Sequence, residues 1–328
     1  MSDLSTIYDN KAIAKLDPVI NMAEIFKLTD LDWKYEVKPL LFYGNDGALI
    51  ISDGKQLLIN RNGELEQIAI RGKDFKVTTA KELYSVFLAL RDPLDLGLYA
   101  MGHTRGGKFL YIVCELHQNR IKLNDQANFK TCLFIYTVND GNGKTKFAPI
   151  MLKNGEPEYQ VSVIGGTDEA GKPKYSSTCY ELSHHYQFDH LEAATAVKMS
   201  VEEHLSDFDE KMEIFGCVEA TSERVNEFHH LLYRRFEIGN EKTKKDYDKV
   251  MAELATHYEQ FNASLPIELS GTLAGLYLSL VAYLDRFKKR KSGKEGRITS
   301  INFTHDNVTK RAAFEELTKI SLKSMAQK

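Results

Sequence analysis

Hydrophobic residues recur with a period of two through the first half of the chain and with helical spacing through the second. From Lys108 to Glu115, Phe109, Tyr111 and Val113 alternate with Leu110, Ile112 and Cys114. Both faces are apolar, so the segment reads as a central strand covered on both sides. Cys132 to Val138 repeats the pattern, with Phe134 and Tyr136 opposing Leu133 and Ile135. Trp33 to Tyr43 reads as a strand interrupted at Pro39, which cannot donate to a ladder, hence an edge strand or two short ones, and Asn45-Asp46-Gly47 then supplies a turn. Ala48 to Ile51 and Gln56 to Asn60 flank Ser52-Asp53-Gly54, a hairpin signal since Asp-Gly accepts positive φ. Arg61-Asn62-Gly63 turns the chain into another strand, Glu64 to Ile70. Lys144 to Ile150 is expected at an edge because of Pro149, and Val161 to Ile164 is one more short strand. Between these groups, Thr78 to Leu90 predicts a helix capped by Thr78 or Thr79, with Leu83, Phe87 and Leu90 on one face.

Beyond about residue 186 the spacing changes. Val201, Leu205, Phe208, Met212 and Phe215 form the stripe of an amphipathic helix. Further helices are expected over 218–236, 241–261, 267–287 and 307–323, the one over 267–287 buried because it is the most apolar. Strands followed by helices predict an α+β protein, a mostly antiparallel β-sheet built from hairpins and packed with a mainly helical C-terminal half. The expected divisions are an N-terminal arm or helix over 1–30, a β-rich core domain over 31–186 and a helical region over 187–328.

At 328 residues, 43% hydrophobic and 27% charged, the chain has material for a sizeable core without disulfide staples. Cys114, Cys132, Cys179 and Cys217 are widely separated, which fits a reducing compartment better than a zinc ribbon or disulfide framework. The N-terminus shows no leader pattern, and the longest apolar run, Leu273 to Leu284, falls short of the ~20 residues that span a bilayer. A soluble, cytoplasmic protein without a membrane partner is expected. The net charge of −3 excludes coating of nucleic acid by bulk charge, so any such contact needs a local basic patch.

Candidate chemistry is sparse. Gly166 to Lys172 fits the G-x-x-x-x-G-K half of a phosphate-binding loop, but Pro173 replaces the hydroxyl that would hold magnesium and lacks a backbone N–H. A hairpin tip is the better reading. His184, His185, Asp189 and His190 lack a second ligand motif, and His229 and His230 point about 100° apart on a helix, so no metal or other cofactor is expected. No nucleophile motif occurs and no enzymatic activity is assigned. An enzyme would have to be built from His184, His185, Cys179 and Asp140 across the two halves.

The basic residues say more. Arg286, Lys288, Lys289, Arg290, Lys291, Lys294 and Arg297 face only one acid, Glu295, over 286–297, and could neutralise phosphates from a Ser-Gly loop. Arg105, Lys108, Lys144 and Lys146, with Arg120, Lys122 and Lys130, flank Phe109, Tyr111, Phe129, Phe134, Tyr136 and Phe147. Cations beside exposed aromatics suit a single strand, whose phosphates pair while its bases stack. The nucleic-acid-binding candidates are therefore Arg105, Lys108, Lys144, Lys146, Arg286, Lys288, Lys289, Arg290, Lys291 and Arg297.

Several short motifs also fall in a familiar order: Trp33-Lys34-Tyr35-Glu36-Val37 before Pro39, Arg61-Asn62-Gly63-Glu64, Gly102 to Phe109, Thr137 to Gly141, and Ser270 to Tyr277 with Arg311-Ala312-Ala313. In this order the chain resembles the phage/plasmid-like proteins grouped as a domain of unknown function. It departs at Ser177 to Leu182, which lacks the family's arginine and asparagine, and at Ala274, where the family has tryptophan. The resemblance implies a phage or plasmid protein in the host cytoplasm. By fold-level analogy it also suggests single-strand annealing proteins of the RecT and Redβ type. The expected function is a nucleic-acid-binding accessory of DNA metabolism, binding or annealing single-stranded DNA as a homo-oligomer beside phage or host replication and recombination proteins. The alternative is a non-catalytic protein-interaction module that targets a host factor.

Overall fold

The computed structural model describes residues 7–8, 12–13, 15–61, 63–72, 77–118, 123, 127–139, 144–155, 158–167, 173–183, 190–233, 241–288 and 293–326. It is 48% helix and 31% strand, with antiparallel sheets in the N-terminal half and helices after them, an α+β fold.

A short helix, α1 (Met22–Leu28), leads into a three-stranded sheet of β1 (Lys34–Tyr43), β2 (Leu49–Arg61) and β3 (Glu64–Arg71), in the order β1-β2-β3. Pro39 does lie on an edge strand. The Ser52-Asp53-Gly54 turn expected from the sequence is instead a bulge inside one continuous strand. Leu40 pairs with Ser52 and Pro39 with Lys55, so Asp53 and Gly54 are extra residues, and the chain reverses earlier, at 44–48. Opposite a proline that gives no N–H, the ladder loses little by bulging.

The helix α2 (Ala80–Leu94) begins with a capping box, in which Thr79 Oγ1 accepts from Glu82 N and Glu82 Oε2 accepts from Thr79 N. Then comes the central sheet: β4 (Leu96–Thr104), β5 (Phe109–Leu116), β6 (Phe129–Val138) and β7 (Lys144–Lys153). The expected edge position of β7 is not observed. Its outer side is shared by two short strands, β8 (Gln160–Ser162) on 150–152 and β11 (Tyr180–Ser183) on 144–147. Pro149 falls in the gap between them, where no donor is required. The near-miss phosphate loop is flanked by a separate two-stranded hairpin, β9 (Gly165–Thr167) and β10 (Pro173–Ser176), and its tip lies outside the described residues.

Both faces of the central sheet are covered, as the double alternation predicts. Leu110, Ile112, Cys114, Leu133 and Ile135 join a large core with α2 and the C-terminal helices. Those helices are α3 (His190–Gly216), α4 (Ser222–Tyr233), α5 (Glu241–Asn262), α6 (Leu273–Ala282), α7 (Lys294–Phe303) and α8 (His305–Ala326). The stripe of α3, Val201 to Phe215, is buried, and Phe208 stacks on Phe314 of α8 at 5.2 Å. Tyr111, Val113, Cys132 and Phe134 face the other way, into a smaller core closed by Ile298 and Ile301 of α7 and by Ile7 and Tyr8. The basic segment 286–297, expected to run from a buried helix into a Ser-Gly loop, ends instead in the first turn of α7.

Candidate nucleic-acid interface

The antiparallel order brings the end of β4, the start of β5, the end of β6 and the start of β7 to one rim of the central sheet. The β4–β5 connection there, Arg105-Gly106-Gly107, is left-handed at all three residues, with φ of 52°, 63° and 92°. Glycine is required at 107 for a second reason. A Cβ there would collide with Ile59 Cδ1 and lie 2.9 Å from Trp33 Cη2. The three-stranded sheet thus rests its inner end directly on this turn. Tyr35 locks the seat: its hydroxyl donates to Gly107 O at 2.6 Å and accepts from Asn139 Nδ2 at 2.7 Å. Asn139 in turn accepts from Thr78 N and donates to Thr78 O. Burial raises the Tyr35 hydroxyl well above its usual range, so it stays a neutral donor.

Glu295 reaches the same turn from α7, its carboxylate accepting from Gly106 N at 2.9 Å. Trp33 contacts Tyr35 edge-on at 5.0 Å and His103 at 5.8 Å, and the Arg61 guanidinium lies 5.6 Å from its ring centre. Asp30 sits 3.2 Å from His103 Nε2 and 3.9 Å from Arg61. Asp30, Trp33, Lys34, Asn60 and Arg61 line an open cleft of about 340 Å³. Beside it, Arg105 stacks over Phe109 at 4.9 Å.

The sequence-derived candidates divide sharply at this rim. Arg105 and Lys108 stand at it, and Glu295 carries the end of the 286–297 segment to it, so two groups far apart in sequence are brought together. Lys144 and Lys146 occupy the same rim at the start of β7, but both bind Glu181, at 2.9 and 2.8 Å. Partial burial alone would raise the Glu181 carboxyl; the two lysines hold it below its ordinary range. Lys288 is tied to the buried Asp306 at 2.9 Å, and Arg286 is half-buried. Arg297 must be withdrawn as a solvent-facing phosphate ligand: it is only 6% exposed, because helix α7 turns it inward. Lys289, Arg290 and Lys291 lie outside the described residues, as do Arg120, Lys122, His184, His185, Asp189 and Asp140.

The aromatics take the core alternative, which the covered faces of their strands already imply. Tyr111, Phe129, Phe134 and Phe147 are buried in the two cores, Phe109 is buried against Phe303, and Tyr136 is half-covered by Phe303 at 4.9 Å. The aromatic that does sit among cations in a cleft is Trp33, the chain's single tryptophan, which sequence reasoning treated as a strand residue. No periodicity links it to Arg61 or His103; only the fold does.

The remaining chemistry is interior. Lys310 and Asp285 are both fully buried and 2.8 Å apart. Lys310 Nζ also donates to Gln160 O, and Asp285 accepts from Gln160 N, so the pair clamps β8 between α8 and the π-helical turn, Tyr283–Phe287, that follows α6. The Gln160 side chain continues the network to Tyr8 and Asn302, at 2.6 and 2.7 Å. His229 is buried and held neutral by that burial, down to about 4. Burial pushes the Cys179 thiol up to about 12, far from a reactive thiolate. No cluster of three or more metal-ligating side chains occurs among the described residues, and no helix there is long and apolar enough to cross a membrane. No family model, curated protein or solved structure matches the chain.

Proposed function

We propose that the Trp33–Arg105 rim binds single-stranded nucleic acid, and that the protein is an accessory of DNA metabolism. The observation carrying this reading is an open cleft in which Trp33 lies beside Lys34 and Arg61, with Asp30 and Asp32 also in its lining, while Arg105 and Lys108 flank the neighbouring Gly107 turn that Trp33 packs against. A ring flanked by guanidinium groups offers a base a stacking platform while the cations meet the flanking phosphates. The candidates that the fold neutralises, Lys144, Lys146 and Lys288, contribute field at the margin rather than direct contacts. The link to phage or plasmid replication and recombination rests on the sequence resemblance.

Because Trp33 is the sole tryptophan, its emission reports on this cleft alone. Titration with a single-stranded oligonucleotide at roughly 50 mM salt should quench that emission, with affinity falling steeply as salt rises. Arg105→Glu with Lys108→Glu should weaken binding at least ~10-fold and flatten the salt slope by ~2. An unchanged Trp33 spectrum with no mobility shift at low salt, or a double variant that binds like the wild type, sinks the reading.

A further inference from the structure

Among the described residues, the three-stranded sheet is supported at its inner end. β3 pairs with β2 from Lys55 to Arg61, so beyond the bulge the sheet narrows to a two-stranded ribbon, Leu40 to Ser52. The ribbon pairs Leu41 with Ile51, Phe42 with Ile50, and Tyr43 with Leu49. All six side chains are exposed: Leu41 45%, Phe42 46%, Tyr43 76%, Leu49 56%, Ile50 40% and Ile51 69%. An isolated two-stranded ribbon is marginal in water, and a contiguous bare apolar face is rare on a monomer.

The period of two separates the ribbon's faces. Tyr35, Val37, Leu41 and Tyr43 fall on one side of β1, and the partners of Leu41 and Tyr43 place Ile51 and Leu49 beside them. This is the side whose inner residues, Tyr35 with Leu57 and Ile59, pack into the small core at the seat. The same side carries the pair Pro39–Lys55 between these halves, so its apolar surface runs from a covered half, past one lysine, to an uncovered half. The uncovered half continues a packing surface; it is not a solvated one.

Three occupants can be weighed on chemistry. Nucleic acid is a poor match, because residues 40–54 contain no lysine, arginine or histidine to meet phosphates. A bilayer is a poor match, because the tip that would enter first is Gly44-Asn45-Asp46-Gly47, with Asp46 exposed. A protein face that is apolar and uncharged remains. Among the described residues the other large exposed hydrophobics, such as Val19, Ile20, Met199, Ile267 and Val308, lie singly or in pairs on separate elements. The matching surface that this molecule carries is the ribbon face itself.

We infer that two copies of the chain associate through this face, the Val37–Leu41–Tyr43–Leu49–Ile51 side of one ribbon against the same side of its partner. The contact is isologous and closes as a two-fold dimer. The area agrees. Complete burial of these five exposed side chains would remove roughly 500–600 Å² per copy, on the order of 1,100 Å² in total, near the lower bound of a standard specific interface. A contact of that size is of the weak, concentration-dependent kind.

Sedimentation velocity on the full chain, from roughly 1 to 200 µM, tests this. The wild type should pass from monomer to dimer across that range. Leu41→Lys with Ile51→Lys should remain monomeric throughout, with unchanged circular dichroism and Trp33 emission, since both positions are exposed in the monomer. Val19→Lys with Ile20→Lys, on a separate exposed apolar pair, should dimerise like the wild type. If the double lysine variant loses structure, Tyr43→Ser replaces it and should raise the dissociation constant at least ~10-fold. A wild type that is monomeric at 200 µM overturns the proposal, even if its ribbon captures some other protein. A dimer that the ribbon variants leave intact overturns it equally. Neither result bears on oligonucleotide binding at the rim, which uses different side chains.

Discussion

The three-stranded sheet and the central sheet are written with similar β-branched and aromatic residues, yet they end in opposite circumstances. Phe134 of β6 is 1% exposed and touches Tyr8, Tyr111, Tyr136 and Phe303, whereas Phe42 of β1 is 46% exposed on a ribbon. Strand propensity is the same in both; neighbours differ. The central sheet is sandwiched because α2 and the C-terminal helices take one face while α7 and Ile7–Tyr8 take the other. Among the described residues the outlying sheet has one seat, the Gly107 turn, and no core cluster reaches its far ribbon. A strand signal thus specifies a pleated surface suited to burial and leaves open what buries it.

The largest effect should come from the interior that holds the central sheet to the helices. Lys310→Met removes the cation that faces Asp285, leaving a fully buried carboxylate whose ion partner at 2.8 Å is gone. Breaking such a pair costs about 3–5 kcal/mol, while replacing both members with apolar residues is often near neutral. Urea denaturation should show Lys310→Met strongly destabilised and Lys310→Met with Asp285→Leu recovering most of the loss. A single variant within ~1 kcal/mol of wild type would mean that the clamp on β8 does not hold the two halves together.

A smaller effect is expected at the joint between the two sheets. Gly107→Ala combines a left-handed φ of 92° with a Cβ driven at Ile59 and Trp33. The strain is of order 1–3 kcal/mol, and it should be relieved locally by lifting the outlying sheet off its seat. Amide exchange should accelerate across 34–71 and Trp33 emission should shift to the red, while protection in β5 and β6 stays as in the wild type. Equal loosening of both sheets would show that they fold as one unit.

How much of this was legible follows the same division. The double alternation of β5 and β6, the helix cap expected at Thr78 or Thr79 and found at Thr79, and the α3 stripe are local patterns, and each appears where its residues predict it. Pro149 and Asp53-Gly54 misled because each has a pairwise solution: a gap between two short partner strands, and a bulge opposite another proline. The basic run at 286–297 misled because charge density does not reveal that α7 turns Arg297 inward or that Asp306 awaits Lys288. Trp33, Arg61, His103 and Glu295 were invisible as a group, since their separations in sequence match no local period. The exposed ribbon was equally hidden: alternating apolar residues cannot announce that a third strand stops short of them.

The smallest effect is expected on the ribbon, and its dependence on concentration is what makes it informative. Phe42→Ala deletes a ring of the same type as Phe134, but one already half in water and outside both cores. At protein concentrations below the dimer midpoint its unfolding free energy should lie within about 0.5 kcal/mol of wild type, as for a surface substitution. Leu41→Ala, on the face assigned to the dimer, should behave in the same way when dilute. It should fall behind wild type as concentration rises, because association stabilises the wild-type fold by mass action. Phe42 lies on the opposite face, so the Phe42→Ala deficit should stay constant over the same range. Denaturation series for the two variants, run at concentrations roughly tenfold below and tenfold above the dimer midpoint found by sedimentation, therefore separate the faces of one strand. Deficits that remain parallel at both concentrations would show that the Leu41 face meets only water.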